Sequence, residues 1–274
     1  MRWSERQRAM LEAMGIRLWS ARSDSHPLRV DVGAPLPPAE LEDGGACASP
    51  EVPRVGRAEG GASTSIQAVH RTALGSRPEG VASMDWPALR EAVVNCTACK
   101  LCTGRRQTVF GVGNLRAHWM IVGEAPGEQE DRQGEPFVGK SGQLLDNMLR
   151  AIGLTRGEAD AATQVYIANT LKCRPPGNRN PGPDELAQCE HFLIRQVELV
   201  QPRIILAMGR FAVQSLLRSS EPIGRLRGRV HRYQGVPLIV TYHPAYLLRN
   251  LEDKARAWDD LCLAVATAHV ATPG

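Results

Sequence analysis

Four cysteines stand in two unlike pairs, Cys96 and Cys99 in CTAC, then Cys173 and Cys189 on either side of RPPGNRNPGPDELAQ. The second pair brackets a proline-rich loop that opens a helix, which suits a four-thiolate metal or iron–sulfur site better than a disulfide framework. Zinc ribbons set one CxxC against a second close pair, whereas here a whole loop parts the third and fourth thiols, so the ligand pattern favours iron–sulfur over zinc. Cys102 extends the first motif to CTACKLC and is a substitute ligand. Cys189 also falls in register with the apolar face of its helix, where a plain core cysteine would sit. Cys47 and Cys262 look unrelated to this set.

Other chemistry-bearing residues gather at a few loops. His243 follows an apolar strand and precedes Pro244, which holds its backbone extended. A neutral imidazole there donates a hydrogen bond to developing negative charge, or else caps the next helix. Asn169 ends its strand similarly; its amide, donor and acceptor together, suits a pyrimidine edge, with a turn residue as the plain alternative. Phe137, in GEPFVGKSG, stacks on a flat ligand or staples the following helix to the core. Glu124, Glu128, Glu130 and Asp131 crowd GEAPGEQED, where one carboxylate would position water. The glycines of this region allow close backbone approach but do not spell the phosphate-binding GxxxxGK[ST]. Lys172, Arg174 and Arg179, and then Arg225, Arg227, Arg229, His231 and Arg232, are basic stretches fit for phosphate contacts. In HPAYLLR, Tyr246, Leu247 and Leu248 read as exposed apolar wedges of the kind that pry open a base stack.

The elements that must position these groups alternate along the chain. Apolar runs at 118–123, 165–169, 203–208 and 237–242 are strand-like, and helical patterns at 141–152 and 183–200 lie between them. Asp85 and Pro87 open a further helix in MDWPALREAVVNC. Strands that are apolar throughout and joined by helices predict a three-layer α/β/α sandwich around a mainly parallel four-stranded sheet, spanning 84–270. Ligands of such sheets bind outside the carboxyl ends of the strands, which is where GEAPGEQED, Asn169, GRF (209–211) and HPAYLLR fall. Ahead of this domain, 1–24 has the spacing of an amphipathic helix, and 25–83, rich in Ala, Gly, Pro and Ser, reads as a disordered linker.

At 274 residues, net charge +4 and 43% hydrophobic content, the chain can bury one good-sized core. No stretch reaches the roughly 18 continuous apolar residues of a membrane span, and the N-terminus lacks the apolar centre of a signal peptide, so the expected compartment is the cytosol. There, clustered cysteines more often bind metal than form disulfides. The mild basic excess permits a polyanionic partner.

Residues 96–262 resemble a family 4 uracil-DNA glycosylase, the iron–sulfur branch of the uracil-DNA glycosylase superfamily. The resemblance rests on CTACKLC, GEAPGEQED, GEPFVGKSGQLLD, YIANTLKCRPPGNRNP, the later Cys189 and HPAYLLR, in that order. It implies a monomeric repair enzyme that hydrolyses the N-glycosidic bond of uracil in single- or double-stranded DNA and leaves an abasic site. It further implies that Cys96, Cys99, Cys173 and Cys189 hold a structural [4Fe-4S] cluster. Phe137 would stack on the extruded uracil, Asn169 would pair with its edge, and Glu124, Ala125 and Pro126 would line the pocket. His243 would bond uracil O2, and Leu247 would fill the hole left in the duplex. The superfamily's best-known branch carries an aspartate where this chain has Ala125, so Glu124 or a later acid takes the water-positioning role. A related branch traps uracil through a histidine in a basic insertion; RPPGNRNPGP contains none, which favours turnover over a uracil-DNA-binding protein that captures without turnover. The first 83 or so residues lie outside the resemblance, as a tail that could recruit a repair or replication partner.

Overall fold

The apolar runs form the centre of one sheet. A computed structural model describes residues 74–270, with β1 at Val112–Gly113, β2 at Trp119–Gly123, β3 at Tyr166–Asn169, β4 at Ile204–Met208, β5 at Val230–Tyr233 and β6 at Val236–Thr241. The strand order is β1-β3-β2-β4-β6-β5. The four central strands are parallel, and every residue of β2, β3 and β4 is buried, as expected where helices cover both faces. The sheet has six strands rather than the four expected, because β1 adds antiparallel to β3 and β5 antiparallel to β6. Both additions are edges, short or polar enough to carry no apolar run.

The helices are α1 (Trp86–Val94), α2 (Glu128–Gln133), α3 (Lys140–Ala151), α4 (Pro183–Val200), α5 (Arg210–Leu217), α6 (Ile223–Leu226), α7 (Pro244–Leu247) and α8 (Asp253–Val270). Alternation along the strands divides the core in two. Ile121, Leu206 and Ile239 meet Leu145, Met148 and Leu149 of α3 and Trp258 and Leu261 of α8 on one face. Met120, Val122 and Ala207 meet Leu193 and Val197 of α4 and Val213 of α5 on the other.

Local signals start and stop these helices. Asp85 Oδ1 accepts from the Ala88 N–H at 3.0 Å to cap α1, and Glu185 Oε2 accepts from the Gly182 N–H at 2.8 Å ahead of Pro183 in α4. After α3 the chain turns at Gly153, whose φ of +80° suits glycine.

A third, smaller core packs Val81, Leu89, Val93, Phe110, Leu171 and Phe192 around Cys173 and Cys189. Val81 belongs to the stretch read as linker. The end of that stretch is in fact structured: Val81–Ser83 form a 3-10 turn, and Arg77 Nη2 donates to the Ala187 carbonyl at 2.8 Å. The helix read at 1–24 and the linker up to residue 73 lie outside the described residues. Among the described residues no helix is long and apolar enough to cross a membrane.

Candidate active site

Parallel register sets Gly123 opposite Asn169 and Met208 opposite Thr241, so the loops after these strands share one edge of the sheet. Asn169 and Phe137 both close on Gly123. A methyl group there would lie 2.4 Å from Asn169 Oδ1 and 2.5 Å from Phe137 Cζ. Asn169 is 2% exposed, and its Oδ1 is buried without a donor among the described residues. A buried amide oxygen left unpaired is costly, so such an atom marks a place built for a ligand's N–H.

Phe137 sits at a φ of +56°, a left-handed conformation that costs a bulky residue about 1–3 kcal/mol and persists only where its surroundings impose it. Two neighbours do so. The next N–H, of Val138, donates to Glu130 Oε1 at 3.0 Å, and the Phe137 carbonyl fills the space that a side chain at Gly142 would need. The Phe137 ring stacks on that of His243, with centroids 5.2 Å apart and planes at 24°.

His243 caps α7 and is set up as a donor by the same bond. Its Nδ1 accepts from the Ala245 N–H at 3.1 Å, which assigns the proton of the neutral ring to Nε2. Burial pushes its pKa down to about 4, against the opposing pull of Glu130. The imidazole is therefore neutral at physiological pH.

Glu124, Ala125, Pro126 and His243 line a cleft of about 1010 Å³; Phe137 and Asn169, both buried, are not among its lining residues, and Phe137 meets it through its stack on His243. Burial raises the Glu124 carboxyl to about 7, partly offset by Arg210. The loop's other acids are spent on structure. Glu128 pairs with Arg132 and lies 3.6 Å from Arg174, Glu130 ties Gly127 to Val138, and buried Asp131 accepts from the Arg106 N–H. Glu124 is thus the acid of that loop free to face the cleft.

Leu247 does not fit a wedge. It is 0% exposed within the main core, because the single turn of α7 rotates it inward. Leu248, 41% exposed, and Tyr246 face the cleft instead.

The basic stretches also divide. Arg179 lines the cleft, but Lys172 is 1% exposed, inside the protein. The second stretch turns away: Arg227 bonds buried Asp260, Arg232 the Gly235 carbonyl and His231 the Leu226 carbonyl. Lys140, Arg210 and Arg249 supply cleft cations that sequence reasoning passed over, although GKSG and GRF at helix starts carried the signal.

Cys96, Cys99, Cys173 and Cys189 line one cavity together with Arg105 and Lys172, and Cys102 is not part of it. Two donors aim at sulfur: Arg105 Nη1 to Cys173 Sγ at 3.1 Å and the Lys172 N–H to Cys189 Sγ at 3.3 Å. Such donors favour thiolates and suit a metal–sulfur centre. Burial pushes the Cys173 and Cys189 thiols up to about 11 and about 12, so binding a metal there would displace protons. Among the described residues no three His, Cys, Asp or Glu side chains converge as ligands of a single ion. Four cysteines on the lining of one cavity form a thiol-rich donor set of the kind that holds a thiolate-bound metal centre.

The sequence profile of the Uracil DNA glycosylase superfamily matches residues 110–262. The chain belongs to that superfamily. It is 44% identical over 168 residues to a type-4 uracil-DNA glycosylase of Thermotoga maritima, covering 61% of this chain and 84% of that protein. A type-4 uracil-DNA glycosylase of Archaeoglobus fulgidus is 43% identical over 57% of this chain and 79% of its own length. One from Pyrobaculum aerophilum is 40% identical over 66% and 93%. The superfamily match begins at Phe110, after Cys96 and Cys99, and takes in the Gly123 loop, Phe137, Asn169 and His243.

Proposed function

We propose that this chain is a uracil-DNA glycosylase that turns uracil out of DNA, hydrolyses its N-glycosidic bond and leaves an abasic site. The observation that carries this reading is the buried, unpaired Asn169 Oδ1 beside the Phe137 ring and the neutral His243. The Asn169 amide accepts from uracil N3–H and donates to O4. Cytosine presents the opposite pattern and would leave buried groups unpaired, the situation in which discrimination is largest. Phe137 offers a stacking face.

As the bond from C1′ to uracil N1 breaks, its electron pair leaves with the base, and charge builds on O2. His243 Nε2–H meets that charge, an interaction strongest in the transition state. Water adds to C1′ and passes a proton to Glu124, whose carboxyl near 7 is poised to accept it at neutral pH. Lys140, Arg179, Arg210 and Arg249 hold backbone phosphates, and Leu248, with Tyr246, enters the duplex in place of the extruded base.

Cys96, Cys99, Cys173 and Cys189 would hold a [4Fe-4S] cluster, which when bound cross-links the start of the domain to α4 and takes no part in the hydrolysis. The enzyme acts as a monomer in the compartment that holds DNA.

Incubation with a uracil-containing oligonucleotide, then alkali, should give strand scission at the uracil. An intact strand from brown, folded protein would sink the reading, and a protein–DNA adduct stable on a denaturing gel would favour capture without turnover.

A further inference from the structure

A second cleft, of about 800 Å³, opens where α1 and the β1 edge meet the end of α2. Arg90, Arg105 and Arg106 line it against one acid, Glu135. Among the described residues none of these three arginines makes an ion pair. Arg105 is spent inward, on the Cys96 and Val94 carbonyls and on Cys173 Sγ.

Arg90 and Arg106 are held in ways that leave their guanidinium N–H groups to the cleft. Arg90 lies over the buried Phe110 ring, 4.5 Å from its centroid, and a stacked guanidinium still presents its donors in plane. Arg106 is fixed through its backbone, whose N–H donates to both oxygens of buried Asp131 in α2, at 2.9 and 3.1 Å. Gln107 Nε2 donates to the Arg132 carbonyl at 2.6 Å, so the loop that carries Arg106 is tied to α2 at two points.

The same helix joins this cleft to the one that takes uracil. Gly127, its N-cap, lines the uracil cleft, and Gln133 and Gly134, at its end, line the second. Six helical residues at a rise of ~1.5 Å separate the two by about 9 Å, or roughly three nucleotide steps at the spacing of a duplex strand. Glu128 of α2, which would repel a strand crossing it, is paired with Arg132 and lies 3.6 Å from Arg174. Cations without carboxylate partners, at such a spacing from a uracil site, match the charge of a DNA backbone.

We propose that the second cleft is a phosphate subsite for the substrate strand, in which Arg90 and Arg106 hold the backbone within about three nucleotides of the extruded uracil. The inference rests on the glycosylase reading. It gives the site a length requirement on one side of the uracil, set by α2.

The test uses full-length protein and single-stranded oligonucleotides with the uracil at the centre or cut back to one flanking nucleotide on either side. Uracil release is followed as kcat/KM over a range of salt for wild type, Arg90→Gln, Arg106→Gln, the double variant, Arg106→Lys, and Arg150→Gln as an exposed control in α3 that lines neither cleft. A contact that releases one counterion from a single strand contributes about 0.7 to the salt slope, equivalent to about 5-fold at ~0.1 M salt relative to 1 M. Each glutamine variant should therefore lose about 5-fold in kcat/KM on the long strand, and the double variant about 25-fold, with the slope shallower by about 0.7 and 1.4. Arg106→Lys should keep the wild-type slope. On one of the two trimmed strands the difference between wild type and double variant should close, because wild type loses the same contacts.

Variants that match wild type on the long strand at every salt concentration overturn the proposal. So does a loss that persists undiminished on both trimmed strands, or one that Arg150→Gln reproduces. Wild type unable to release uracil from any strand brings down the glycosylase reading itself, whereas active wild type with indistinguishable variants brings down this inference alone.

Discussion

Substituting Gly123→Ala tests the convergence of amide and ring with a single methyl group. Gly123 has no left-handed φ, so the substitution acts through contact alone. The added Cβ would stand 2.4 Å from Asn169 Oδ1 and 2.5 Å from Phe137 Cζ, where ordinary carbon contacts need about 3.5–4.0 Å. Neither neighbour yields easily: Asn169 is paired in the sheet, and Phe137 is held by its own constrained backbone. One or both must move by about 1 Å. Overpacking of this kind costs about 1–3 kcal/mol, or a fall in Tm of roughly 2–12 °C for a domain of this size. A displacement of ~1 Å at a reacting centre costs about 100-fold in rate. Single-turnover uracil release and thermal unfolding would be measured beside Gly104→Ala, where nothing lies within 4 Å of the new methyl, as control. Folded Gly123→Ala with wild-type excision would refute the claim that Asn169 and Phe137 frame the base.

Three further expectations concern pH, the wedge and the cluster. Glu124 is raised from 4.5 to about 7, so kcat/KM should climb as pH passes through about 7, and Glu124→Gln should remove that limb from the pH–rate profile. His243 is lowered from 6.5 to about 4, so the unfolded chain takes up its proton first; this residue's share of stability is present above about pH 6.5 and is lost as pH falls toward 4, readable in thermal melts. Leu247→Ala should cost about 2–5 kcal/mol of stability by opening a core cavity. Leu248→Ala should change stability by less than about 0.5 kcal/mol and slow excision from duplex more than from single-stranded DNA, in melts and gel kinetics. Iron chelation should bleach visible absorption and lower Tm together, since the cavity holding Cys173 and Cys189 is part of the third core; stoichiometric zinc in colourless protein would contradict the cluster.

The parts of this fold that were legible in sequence are those where one physical demand dominates. β2, β3, β4 and β6 lie within a residue of the apolar runs, because a strand buried on both faces tolerates little else. The α3 and α4 faces were equally plain, each bounded by proline, glycine or a capping acid. β5 was missed because VHRY alternates half-buried and exposed positions at an edge, and its arginine and histidine read as a phosphate-binding stretch. Leu247 and Leu248 could not be told apart by composition. Only the handedness of one helical turn decides which faces the core and which the cleft. Lys172 was misread for the opposite reason. A lysine beside a cysteine in a basic loop has every local mark of the surface, and its burial depends on Gln196, 24 residues away, and on Asn169. Residues fixed by local periodicity can thus be read from the chain alone, whereas a charge placed by distant partners is visible only once the sheet and α4 have brought those partners together.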